Sequence, residues 1–185
     1  MRHMADTTRL VTASELARYP KDDARYELVE GRLIRMSPTG WEHGTIVMQI
    51  GSLLDRHVRV ARLGAVVTEV GFTLRSDPDT VRAPDIAFVA QDRLPTSRVT
   101  GFWPGPPDLA VEVLSPDDRP SDVLLKVEEY LTAGSVAVVV VAPDKQSITT
   151  YRRLSPPVTV GPDEELDLDD IVAGFRCAAG DVLHG

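Results

Sequence analysis

Two carboxylates stand inside segments that are otherwise apolar, Asp85 in TVRAPDIAFVA and Glu112 in PPDLAVEVLSP. Side chains of a strand alternate between its faces, so Asp108, Ala110, Glu112 and Leu114 share one face while Leu109, Val111 and Val113 share the other. Glu112 therefore projects from a mostly buried strand. Asp85 opens its strand directly after Pro84, a residue without an amide hydrogen that suits a strand's first position. An ionised carboxylate taken out of water without a partner is costly, so two of them in neighbouring apolar runs call for a cation between them. If the two strands pair, both acids converge at one end of the sheet. Oxygen donors of this kind suit Mg²⁺ or Mn²⁺, with water completing the shell, rather than zinc. Each acid also has a plainer reading: Asp85 as a turn or cap acid bonded to nearby amides, Glu112 as the partner of a buried arginine. Asp108 follows two prolines at a loop edge, where solvent is a better partner than a metal.

At 185 residues the chain suits one domain with a sizeable core. Residues 1–11 read as a disordered N-terminal segment and 12–185 as a single domain. No apolar run approaches the roughly 20 residues of a membrane-spanning helix, and MRHMADTTRL lacks the apolar core of a secretory signal, so a cytoplasmic protein without membrane contact is expected. The lone Cys177 offers neither an internal disulfide nor a cysteine-based zinc site. A net charge of −8 argues against a protein that coats nucleic acid through a basic surface. The stretch PDEELDLDD (162–170) holds six acids and no base, however, which leaves −2 on the remainder and makes local nucleic-acid contact compatible with the charge.

Thr12 with Glu15 three residues later resembles a capping box that opens a short helix, ASELARY, ending before Pro20. YELV and RLIRM read as two strands joined through Glu30-Gly31. From Trp41 to about Ala61, apolar residues recur every three to four positions and predict the largest helix. AVVTEVGFTLR (65–75) reads as one long strand, SDPD (76–79) as a turn and DIAFVA (85–90) as the next strand. Pro95 to Pro107 reads as a loop. DLAVEVLS is a strand, SPDDRP a turn, Ser121 to Ala133 an amphipathic helix stopped at Gly134, and VAVVVVA (136–142) the first arm of a hairpin with ITTYRR. A mixed α/β or α+β sheet of five or six strands with helices against it follows.

On the helix after Glu112, Val123, Leu124, Val127, Tyr130 and Leu131 form an apolar stripe. Lys126 sits at its edge, where its ammonium can snorkel to solvent or point over the strand ends toward the carboxylates.

These residues, in this order, carry a resemblance. YELVEGRLIRMSP, His43 just after it, APDIAFV, PDLAVEVLSP and Lys126 four residues before Tyr130 resemble the Uma2 (Uma-two) restriction endonuclease-like family of the PD-(D/E)XK nuclease superfamily, from about Ser14 onward. The resemblance implies a restriction-endonuclease-like mixed central β-sheet flanked by helices, Mg²⁺-type metal binding and phosphodiester hydrolysis. It makes Asp85 the motif aspartate and Glu112 the second carboxylate. The superfamily's lysine usually stands two residues after that carboxylate, where this chain has Leu114, and Lys126 is its counterpart on the helix. Glu27 matches the acid of the opening YEL pattern and His43 the early histidine, although Glu27 also reads as an exposed strand residue and His43 as a cap or lining of the long helix. Ala142 before Pro143 departs from relatives, which usually show an aromatic and then an aspartate there.

The expected chemistry is metal-assisted phosphodiester cleavage, with DNA the expected partner. Asp85, Glu112 and the Val113 backbone carbonyl are the candidate ligands of Mg²⁺ or Mn²⁺, Lys126 stabilises the transition state, and Glu27 and His43 complete the catalytic set. Arg56, Arg59 and Arg62, with His57, stand at three-residue spacing and offer either phosphate contacts or a solvated helix face. A second expectation is a catalytically silent homodimeric scaffold that uses VAVVVVA and the loop carrying Phe102 and Trp103 as contact surface; a homodimer is expected in either case. A nucleophilic hydrolase centred on Ser115 lacks the G-x-S-x-G elbow and a legible His/Asp arrangement.

Overall fold

The computed structural model describes residues 9–19 and 25–184. In chain order, α1 (Ala13–Leu16) precedes the hairpin β1 (Arg25–Val29) and β2 (Arg32–Met36), and the long helix α2 (Trp41–Ala61) follows. Four strands come next: β3 (Gly64–Thr68), β4 (Phe72–Arg75), β5 (Thr80–Arg82) and β6 (Ile86–Ala90). The two-residue β7 (Trp103–Pro104), then β8 (Leu109–Val113), α3 (Pro120–Ala133), β9 (Ala137–Ala142), β10 (Ser147–Arg152) and β11 (Ser155–Val160) complete the main body. β12 (Glu165–Asp167), β13 (Arg176–Ala178) and α4 (Gly180–Leu183) close the described chain.

Among the described residues the strands form a six-stranded sheet, β11-β10-β9-β8-β6-β3, a five-stranded sheet, β2-β1-β5-β4-β7, and the small β12-β13 pair. The six-stranded sheet is mixed, with β8 and β9 parallel and its other neighbours antiparallel. Alternation along β8 decides what each face meets. Leu109, Val111 and Val113 join Ile46, Ile50, Leu54 and Val58 of α2, whereas Ala110 packs with Val127 and Tyr130 of α3. Helices thus cover both faces, as expected of a mixed α+β fold with a central sheet. The C-terminal residues Leu166, Leu168, Val172, Phe175, Val182 and Leu183 extend the α2 layer. No helix among the described residues is long and apolar enough to cross a membrane.

Several local readings hold. Thr12 and Glu15 form the reciprocal capping box of α1, and Glu30 and Gly31 adopt φ of 48° and 74°, the left-handed pair that a tight hairpin turn demands. α2 and α3 run as the apolar spacing requires. Two expectations fail. Beside the expected central sheet the strands form a second, five-stranded sheet and the β12-β13 pair, and AVVTEVGFTLR is two strands: Glu69 turns at φ 56°, so β3 pairs with β6 while β4 pairs with β5 and β7. A second crossing, at Ala83–Asp85, returns the chain from β5 to β6. Of the N-terminal segment expected to be disordered, residues 1–8 lie outside the described residues, as does Pro20; the Val11 amide donates to the Gly31 carbonyl at 2.8 Å. The apolar strand β9 lies between β8 and β10 with its first five residues buried, and Trp103 packs on Phe72, so both segments offered for dimer contact are used inside the chain. The acidic run is partly neutralised in place, Asp170 by Arg152 and Asp167 and Asp169 by Arg176.

Candidate active site

β6 and β8 are antiparallel with Ile86 opposite Val111 at the last paired position; Asp85 immediately precedes β6 and Glu112 follows Val111 on β8, so the two acids lie at the same end of this strand pair. Asp85 Oδ2 accepts the Val113 amide at 2.7 Å, and its Oδ1 lies 3.2 Å from Nε2 of His43 on the first turn of α2. Asp85 is thus bonded to a nearby amide, as its plainer reading expects. His43 Nδ1 lies 3.4 Å from Ser115 Oγ, and Ser115 is fixed in the turn after β8 by its amide bond to Asp118 at 2.8 Å. The hydrogen bond to Asp85 raises the His43 pKa; burial opposes this, and the charges of Asp85, Asp118 and Glu112 add to it.

Glu112 is 7% exposed and meets α3 rather than an arginine. Lys126 Nζ donates to its Oε2 at 2.8 Å and Tyr130 Oη to its Oε1 at 3.1 Å, so side chains one helical turn apart hold the two oxygens of one carboxylate. Burial drives the Glu112 pKa up, Lys126 pulls it down, and Asp85 and Glu27 push it up again, to about 7. Burial would lower the Lys126 pKa, but the Glu112 and Glu27 carboxylates outweigh it and the group stays charged. Lysine is the fixed charge of the pair and Glu112 the group that titrates, because one ammonium is shared among crowded acids.

Glu27 is 2% exposed, which overturns its reading as a surface strand residue. The β1–β5 register, with Leu28 opposite Val81, sets Glu27 against Arg82, whose guanidinium donates to Glu27 Oε2 at 2.7 Å while the Ala83 amide donates to Oε1 at 3.1 Å. Lys126 Nζ stands 3.9 Å from the same Oε1. Burial would raise the Glu27 pKa, but Lys126 and Arg82 hold it below the usual glutamate value. Arg82 Nε donates to Glu129 of α3 at 2.6 Å. The buried arginine pair considered for Glu112 is thus found at Glu27.

The structure brings Glu112, Lys126 and Glu27 into one ion-paired cluster, and Asp85 with His43 into a second that adjoins it at the Val113 amide. It adds Arg82, Glu129 and Tyr130, which the sequence reading did not assign to the site; the i+3 and i+4 spacing of Glu129 and Tyr130 from Lys126 was the available signal. Asp108 is less solvated than expected, accepting the Ala90 amide at 2.8 Å and pairing with Arg93. Glu30 faces solvent beside Arg75. Arg56, Arg59 and Arg62 lie roughly 20 to 29 Å beyond His43 along α2, Arg59 is paired with Asp55 at 2.7 Å, and His57 bonds to the Ala173 carbonyl at 2.9 Å. Among the described residues no group of three His, Cys, Asp or Glu side chains stands ready to hold a metal. The oxygen donors at the centre are the Asp85 and Glu112 pair.

Three carboxylates, Glu27, Glu112 and Glu129, surround two permanent cations, Arg82 and Lys126, and Asp85 lies alongside at the Val113 amide. Each carboxylate oxygen that already accepts one hydrogen bond keeps a further lone pair.

Among solved structures, the crystal structure of a putative nuclease from Anabaena variabilis superposes with a TM-score of 0.82 at 21% identity, covering 94% of this chain and 98% of that one. The shared fold is what that likeness shows. No curated protein matches the chain. The family model described as "Putative restriction endonuclease" matches residues 13–180, which span every site residue described above, and on that match the chain belongs to the Uma2 family.

Proposed function

We propose that the protein is a metal-dependent nuclease of the PD-(D/E)XK type that hydrolyses phosphodiester bonds, with DNA as its substrate. One observation carries the reading: Asp85, at the start of β6, accepts the amide of Val113 next to Glu112 at 2.7 Å, and the Lys126 ammonium lies 2.8 Å from Glu112. Mg²⁺ commonly binds through one or two carboxylates and keeps several waters, so a pair of acids suffices where the described residues hold no group of three. Asp85, Glu112 and the Val113 carbonyl would hold Mg²⁺ or Mn²⁺. When bound, such an ion polarises the phosphate and acidifies a water.

The remaining work falls to side chains. Lys126 places a compact positive charge where the phosphoryl group gathers negative charge. Tyr130 and Lys126 fix the orientation of Glu112, and His43 with the Val113 amide fixes Asp85. Glu27, anchored by Arg82, draws the ammonium toward a position between two carboxylates. Glu112 would have to be deprotonated to hold such an ion, and its pKa of about 7 makes that form accessible at neutral pH.

The test is cleavage of plasmid DNA with Mg²⁺ or Mn²⁺ by the wild type, Glu112→Ala and Lys126→Ala. Each substitution should reduce cleavage by about 100-fold or more, and Lys126→Ala should depress turnover more than Mn²⁺ affinity measured by calorimetry. Equal cleavage by the three proteins rejects the assignment.

A further inference from the structure

The two sheets meet where Glu69–Gly71 and Ala83–Asp85 cross between them, joined by the Glu69 amide donating to the Pro84 carbonyl at 3.2 Å. At this crossing a cavity of about 180 Å³ opens beside the carboxylate network, with Glu27 and Asp85 both in its wall. Its apolar wall is Phe102, Tyr26, Met36 and Val81. Gly71 is what admits Phe102: a Cβ at that position would lie 2.4 Å from Phe102 Cδ1, so the ring occupies the space a side chain would need. The Arg25–Glu69 ion pair also lines the cavity, about half exposed where Glu27 is buried.

Size and lining chemistry restrict the occupant. The volume is below the roughly 300–1,000 Å³ of pockets that enclose drug-sized ligands, which suits a single planar heterocycle and excludes a duplex. Glu27, Asp85 and Glu69 bring carboxylate oxygens to the lining, partnered by Arg82, His43 and Arg25, and an oxygen that already accepts one hydrogen bond keeps a further lone pair for an exocyclic amine. Enzymes that take a base out of its stack read it in this way, by hydrogen bonds at its edge and by contact between aromatic and apolar side chains. We infer that this cavity receives one unstacked nucleobase of the strand being cut, against Phe102, so that the preferred substrate is single-stranded or locally unpaired nucleic acid. The inference rests on the nuclease reading for the position of the scissile phosphate, next to Asp85.

The experiment measures binding and cutting separately. A fluorescein-labelled oligonucleotide is offered as a single strand, as a perfect duplex and as a duplex with one mismatch, first by anisotropy with Ca²⁺ in place of Mg²⁺ and then in a Mg²⁺ cleavage assay. The single strand and the mismatched duplex should bind about tenfold more tightly than the perfect duplex, the scale of one base stacked on an aromatic ring. Phe102→Leu keeps apolar bulk and loses the aromatic face. Ser37→Trp fills the cavity from an exposed position in its lining. Either substitution should bring the preference to within about twofold, with circular dichroism melts checking that both fold. Equal affinity for the three forms, no binding to any of them, or a preference unchanged in both variants overturns the inference. Cleavage without the preference overturns it and leaves the nuclease reading standing; the preference without cleavage sinks the nuclease reading and supports the base pocket.

Discussion

Tyr130 and Lys126 hold different oxygens of Glu112, at 3.1 and 2.8 Å, so their contributions can be separated. Tyr130→Phe removes only the hydroxyl. A buried hydrogen bond to a charged group contributes ~1.5–3 kcal/mol, so the variant should lose about 2 kcal/mol by urea denaturation at a pH where Glu112 is ionised, and an unchanged midpoint would mean that the phenol does not serve the carboxylate. Glu112 also sets a sign for pH dependence. Its folded pKa of about 7 stands above the 4.5 of a free glutamate, so the folded chain binds this proton more tightly than the unfolded chain. The resulting stabilisation is complete below the unfolded value and disappears as pH rises through about 7. His43, also raised, acts in the same direction, whereas Glu27, lowered by Lys126 and Arg82, stabilises above the unfolded value and loses that contribution in acid. Glu112→Gln cannot titrate and isolates the Glu112 part. Its melting temperature relative to the wild type should rise between about pH 5 and about pH 8, and a difference that stays flat contradicts the assignment.

Between elements, Arg82 is the joint. It binds Glu27 of β1 and Glu129 of α3 at 2.7 and 2.6 Å, so one guanidinium ties the five-stranded sheet to the helix that carries Lys126. Removing one partner of a buried ion pair costs ~3–5 kcal/mol because the other charge is left buried. Arg82→Met should show a loss of that size in urea, and Arg82→Met with Glu27→Leu should recover part of it; a double variant no more stable than the single one would argue against a charge left unpaired. This joint was not legible in the sequence. Asp85 beside β6 and Glu112 on β8 stood out because they fall in apolar segments, but Arg82 belongs to a three-residue strand next to a turn, too short to show a period. For the same reason alternation in AVVTEVGFTLR identified strand without revealing the change of sheet: a strand's own pattern carries no information about its partner. Gly71 was the visible mark of the crossing, and its meaning required Phe102, 31 residues later, to be in place. α2, α3 and the β1–β2 hairpin were legible because their signals, apolar period and turn chemistry, are local.

For the whole molecule, the question is how a chain of net charge −8 meets a polyanion. Asp85 and Glu112 were legible as isolated side chains, since a charge in an apolar segment is conspicuous, whereas Glu27 entered only through the family resemblance and Glu129 not at all; the direction from which nucleic acid approaches was not legible, because sequence spacing gives a basic helix face no location relative to the site. Arg56 and Arg62 lie roughly 20 to 29 Å along α2 from His43, at the end away from Asp85. The β1–β2 hairpin lies beside the network: Glu27 is on β1, Met36 and Ser37 line the cavity that Asp85 also lines, and Arg32 and Arg35 are exposed on β2. A strand passing over Asp85 therefore meets hairpin arginines before it meets those of α2. Each phosphate contact contributes about one to the slope of log affinity against log salt. Arg35→Ala should reduce that slope by about one for DNA, while Arg56→Ala with Arg62→Ala leaves it unchanged. A fall in slope in the α2 double variant, with none in Arg35→Ala, would move the path of the nucleic acid to the other end of the molecule and separate it from the carboxylates.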